Sequence, residues 1–145
     1  LQRTIASVVS IILRANNTDF GTLNLGQSKD TVTGGVSPFV LENNGNVLVN
    51  ITILGNNSPF TSVNLNSTAF QYKARANETG AFPAGTAQMT YTPVNSTTTN
   101  LVKQFNYTDV SDDLLVDINI TVPFDEGAGT KSANITFTAG RWNST

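Results

Sequence analysis

The sequence predicts an all-β chain, an antiparallel β-sandwich of jelly-roll or Ig-like type, and three observations predict it. Short apolar or alternating runs recur at near-regular intervals, clusters of Gly, Asn, Pro and Asp separate them, and no stretch carries the 3.6-residue period of a helix. One domain is expected, because 145 residues with 39% hydrophobic content suffice for a single core.

Nine strands are expected. Ile5 to Leu13 comes first and is apolar on both sides, with Ile5, Val9, Ile11 and Leu13 on one face and Ala6, Val8 and Ile12 on the other, the pattern of a strand buried twice, either as a central strand of its own sandwich or donated into the next subunit. Phe20 to Leu25 and Pro38 to Glu42 follow. Val47 to Leu54 alternates, placing Val47, Val49, Ile51 and Ile53 inward and Asn50 with Thr52 outward. Phe70 to Ala76, Ala87 to Thr92 and Leu101 to Tyr107 lead to Leu114 to Val122, whose Val116, Ile118, Ile120 and Val122 share the inner face. Ser132 to Ala139 is last, and Trp142 behind it is expected to close one end of the core. Asn44-Gly45-Asn46 reads as the tip of a hairpin running from Phe39 to Ile53, and Asp125-Glu126-Gly127-Ala128-Gly129 as a longer tip.

Only 12% of residues are charged, about half the usual share, and the net charge is −2 with no block of like charges. Nucleic acid and anionic membranes are therefore not expected as partners. No run approaches the ~18 apolar residues of a membrane span, so no membrane insertion is expected. Numbering opens on Leu1 rather than Met, from which removal of a signal peptide and an extracellular or cell-surface location are expected.

With no His and no Cys, the chain lacks the commonest general base, the best nucleophile and the thiolate and imidazole metal ligands. No enzyme activity, catalytic residue, cofactor or metal site is expected. Asp109, Asp112 and Asp113 crowd one loop and Asp125 with Glu126 another. Such clusters could serve a glycosidase or bind calcium, but one Trp and three Tyr offer little for a sugar cleft and neither loop has EF-hand spacing, so solvated acidic turns are expected, with calcium binding by these loops left open.

The strongest signal is Asn-x-Ser/Thr, matched at ten positions: Asn16, Asn50, Asn56, Asn66, Asn77, Asn95, Asn106, Asn119, Asn134 and Asn143. Ten of eighteen Asn residues is more than twice what the 32 Ser and Thr residues would produce at random. Asn50, Asn119 and Asn134 fall on the outward face of amphipathic strands, where an N-linked glycan leaves the core undisturbed.

Asp19-Phe20-Gly21-Thr22-Leu23-Asn24-Leu25-Gly26, followed by Phe39-Val40-Leu41-Glu42-Asn43-Asn44-Gly45-Asn46-Val47, resembles the opening of TasA-like biofilm fibre subunits and the related archaeal bundling pili. The sequon density is similar to that of archaeal thread filaments. The resemblance covers about a third of the chain. It implies residues 1–15 as an N-terminal donor strand, with Ile5, Val9, Ile11 and Leu13 entering a neighbour, and residues 16–145 as the sandwich. Its partners would be copies of itself in a head-to-tail homopolymer. The expected function is therefore an N-glycosylated filament subunit serving adhesion or biofilm formation. The alternatives are a domain of an S-layer or other surface glycoprotein, and a carbohydrate-binding module. Some TasA relatives carry a metallopeptidase label, but a chain without His cannot supply the zinc site that activity needs.

Overall fold

The computed structural model describes residues 3–143. Its elements are β1 (Ile11–Ala15), β2 (Ser28–Asp30), β3 (Phe39–Asn43), β4 (Val49–Gly55), β5 (Phe70–Ala76), β6 (Thr92–Pro93), β7 (Thr99–Phe105), a 3-10 turn (Asp109–Ser111), β8 (Asp113–Thr121) and β9 (Ile135–Arg141). All pairings are antiparallel and form two sheets. The larger has the order β1-β3-β8-β5-β6, with β2 also on β8, and the smaller is β7-β4-β9. The all-β sandwich is thus as expected.

Period-two alternation builds the core. Val49, Ile51 and Ile53 of β4 are buried against Val116, Ile118 and Ile120 of β8, and Leu41, Tyr72, Leu101, Phe105 and Leu114 fill the space around them. At the usual ~1.5–3 kcal/mol for burying such a side chain, these residues carry most of the folding drive.

Four expectations are corrected. Phe20 to Leu25 is not a strand: Gly21 and Gly26, at φ 69° and 77°, take backbone that no strand adopts. Ala87 to Thr92 makes only the bridge Ala87–Val102 and the start of β6. Gln88 there donates its N–H to Leu101 O and accepts the Ala74 N–H, joining β5 to β7. Phe39 to Ile53 is not a hairpin either, since β3 pairs with β1 and β8 while β4 pairs with β7 and β9. The Asn44-Gly45-Asn46 tip carries the chain from one sheet to the other. Fully buried Asn43 holds this crossing: its amide donates to Val47 O and Phe105 O, and its Oδ1 accepts the Gly45 N–H.

The fourth correction concerns the N-terminus. The strand expected at Ile5 to Leu13 begins only at Ile11 and lies at the edge of its own sheet, paired with β3 through Ile11–Asn43 and Ile12–Glu42. It is not buried twice, since Ile5, Val8, Val9, Ile12 and Leu13 are all exposed. Arg14 ties it down by donating to both oxygens of Glu42, at 2.8 and 2.6 Å. In the single chain, residues 11–15 are thus an edge strand of the larger sheet.

Asp117, on the outer face of β8, is wholly buried instead of facing solvent. Arg75 grips it bidentately at 2.7 and 2.9 Å and Thr31 donates its hydroxyl at 2.7 Å. Removing one partner of such a pair strands the other charge away from water. Arg75→Met should lower the unfolding free energy by about 3 kcal/mol, the low end for a broken buried pair because Arg75 itself reaches water. Urea denaturation measures this, and unchanged stability would mean that Asp117 is compensated elsewhere.

Candidate functional site

The smaller sheet ends at β9, and among the described residues no strand pairs with the outer edge of β9. At the Ile135 end of that strand a groove of ≈ 860 Å³ opens between the sheets. Its floor is core: Phe39, Phe70, Ile118, Ile120 and Ile135 line it, and Phe39 meets Phe137 of β9 edge-on at 5.8 Å. One wall is the loop 17–25 and the other the loop 126–133. A groove floored by core aliphatic and aromatic side chains, beside unpaired main-chain N–H and C=O groups, has what an extended apolar peptide needs.

Glu126 sets the second wall. Its carboxylate accepts the N–H groups of Thr61 and Ser62, each at 2.9 Å, and pairs with Lys131 at 3.0 Å. Burial works against its charge, but these donors outweigh burial and hold the carboxyl at about 2. The acidic turn expected at Asp125 and Glu126 is therefore solvated at Asp125 and structural at Glu126.

The second component is the segment ahead of β1. Its contacts with the rest of the chain are few and superficial. Asn46 accepts the Val8 N–H at 2.7 Å and donates its own N–H to Val8 O at 3.1 Å and its amide to Ala6 O at 2.9 Å, while Arg141 reaches Ser7 Oγ at 3.0 Å. Gly45 passes so close beneath this segment that a Cβ there would collide with Val8 O. Ile5 is 78% exposed and Val8 and Val9 project into solvent beside it. Arg141 lies at the end of β9 and the groove residues Ala133 and Ile135 at its beginning, so segment and groove occupy opposite ends of that strand. Of the expected donor residues, Ile5 and Val9 lie in this segment, whereas Ile11 and Leu13 belong to β1.

No protein-family model matches the chain, and no characterised protein or solved structure is significantly similar to it. The site is therefore read from its own geometry.

None of the ten sequon Asn residues is buried. Asn16, Asn56, Asn66, Asn77, Asn134 and Asn143 are exposed, and Asn50, Asn95, Asn106 and Asn119 are half-buried. Asn50 accepts the Gln104 N–H opposite a bulge, and Asn119 donates its amide to Gln71. Trp142 is half-buried, its N–H bonded to Leu48 O past the end of β9.

The acidic loop before β8 departs from expectation. Asp109 is exposed, but Asp112 is buried and meets Glu42 of β3, which is the register partner of Asp113. Burial first, then Glu42 and Asp113, push Asp112 up to about 6, and burial with Glu78 and Glu42 raises Asp113. Neither Glu42 nor Glu78 is adjacent in sequence: the β3–β8 pairing brings in Glu42 and the β5–β8 pairing brings in Glu78.

Glu126 predicts an acid dependence. Its folded-state value lies below the ordinary 4.5, so its contribution is complete above 4.5 and is lost as pH falls toward about 2. Glu126→Gln should start less stable at neutral pH and lose less across that window. Thermal melts of both proteins check this, and parallel loss in the two would place the acid sensitivity elsewhere.

Proposed function

We propose that the protein is a non-enzymatic, N-glycosylated structural subunit of an extracellular filament, serving adhesion or biofilm formation. Each subunit inserts the segment ahead of β1 into the groove of the next copy, alongside β9. The observation that carries this reading is the placement of an exposed apolar segment and an apolar groove at opposite ends of one strand. A heterologous contact of that kind repeats head to tail, and it produces a fibre when the rotation between copies does not close a ring.

The dimensions agree. Residues 3–10, extended at about 3.3 Å per residue, reach about 26 Å, and the seven residues of β9 span about 23 Å. Ile5 and Val9, two and four positions apart from Ser7 and each other on one face, would enter the groove for roughly 3–6 kcal/mol gross, before the main-chain ladder is counted. What the segment gives up is a handful of exposed hydrogen bonds to Asn46 and Arg141, each of small net value. In this form β1 stays with β3 and anchors the donor, which narrows the expected donor from residues 1–15 to the part ahead of Ile11.

One observation favours a second reading. The pairing of β1 within its own sheet leaves the chain a self-contained sandwich, which suits a domain of an S-layer or other surface glycoprotein that stays single. Native electron micrographs separate the two. The full chain should form filaments, and the chain lacking residues 1–10 should remain folded and monomeric. Filaments from the truncated chain, or a full chain that stays monomeric at every concentration, would contradict the proposal.

Glycosylation has its own test. Glycopeptide analysis of native protein should find glycans at exposed Asn16, Asn56, Asn66, Asn77 and Asn134 ahead of Asn119, whose amide is engaged by Gln71. A native mass equal to the polypeptide mass would remove glycosylation from the account.

A further inference from the structure

Four carboxylates from three separate parts of the chain converge where β3 meets the start of β8. Oxygens of Glu42, Asp112 and Asp113 all lie within 4.8 Å of one another. Glu78, in the loop after β5, stands beside them, its Oε1 accepting the N–H groups of both Asp112 and Asp113 at 3.0 Å. Among the described residues Arg14 is the one cation in contact, and it binds Glu42 from the solvent side with more than half of its side chain exposed.

Two further observations make this more than a crowd of acids. Asp112 is 7% exposed and its carboxyl points into the cluster, within hydrogen-bonding reach of Glu78, and among the described residues no N–H donates to it. Oδ1 of Asp113 is buried with no partner at all. Buried carboxylate oxygens without donors are costly and uncommon in native proteins, and where they persist a missing ion is a standard explanation.

We propose that Glu42, Asp112 and Asp113, with Glu78 at their side, form a calcium-binding site that pins the β3–β8 junction to the loop after β5. The donor set is all oxygen, which selects a hard cation, and the absence of His and Cys leaves no softer ligand. Calcium takes roughly six to eight oxygens at about 2.3–2.6 Å, so oxygens on opposite sides of one ion stand about 5 Å apart, in accord with the spread found here. Glu42 would be shared between the ion and Arg14. Arg14 thus competes electrostatically with calcium, and the site communicates with β1, the strand that carries the exposed N-terminal segment. The site stands apart from the groove and does not depend on the filament reading.

The test uses the full chain, stripped with EDTA and titrated with CaCl₂. Calorimetry should find one strong site per chain, with a calcium-dependent rise in Tm. The double variant Asp112→Asn with Asp113→Asn should melt at or above the wild type in EDTA, because it sheds like-charge repulsion, and should bind calcium roughly tenfold more weakly or worse. Arg14→Gln should bind calcium more tightly than the wild type. Absence of a calcium-dependent heat and Tm shift in the wild type, undiminished binding by the double variant, or weaker binding by Arg14→Gln would each overturn the site.

Discussion

The packing of a three-stranded sheet onto a larger one governs this molecule. With neighbouring strands about 4.8 Å apart, β7-β4-β9 is nominally about 10 Å across, whereas the path β1-β3-β8-β5-β6 is about 19 Å. Apolar residues of β8 and β4 lock the centres together. At the β7 side the excess of the larger sheet is closed by residues 86–88, which stitch β5 to β7 through main-chain hydrogen bonds. At the β9 side nothing comparable among the described residues pairs with the strand, and the two long loops 17–25 and 126–133 become the banks of a groove that reaches core residues. Groove and unpaired edge are thus one consequence of unequal sheet width.

Buried polar groups hold this geometry at three points. Asn43 fixes the crossing between sheets, Asp117 fastens Arg75 and Thr31 to the outer face of β8, and Glu126 pins residues 61–62 to the groove wall. Each is satisfied by several donors or acceptors, so burial adds specificity without leaving polar atoms orphaned. Asp112 and Asp113 are the contrast: Asp112 is buried with no N–H donating to its carboxylate among the described residues, and Oδ1 of half-buried Asp113 has no partner there, the two features from which the calcium site is inferred.

Much of the fold was legible because the strands with one wet and one dry face advertise it. Val49, Ile51 and Ile53, or Ile135 and Phe137 against Thr136 and Thr138, alternate as their burial does. β2, reading Ser-Lys-Asp, and β6, reading Thr-Pro, carry no apolar pattern and exist only because β8 and β5 offer them edges. The Asn-Gly tip could not distinguish a hairpin from a crossing between sheets, since both leave the flanking strands with the same alternation. The N-terminal run failed differently: two apolar faces mean burial only if something covers them, and among the described residues nothing covers Ile5, Val8 or Val9. Glu42 joined Asp113 through strand register, a relation invisible along the sequence.

The central claim is that the segment ahead of β1 occupies the groove of another copy. A chain without native Cys allows a direct measurement of that contact. Val9→Cys combined with Ala133→Cys places one thiol on the donor and one on the groove wall, at opposite ends of β9 within a single subunit. Under mild oxidation of assembled protein, non-reducing electrophoresis should show a ladder of disulfide-linked multimers that collapses to one band on reduction, and either single substitution should yield dimers at most. A double variant that stays monomeric under the same oxidation, in material that has assembled, would contradict the account.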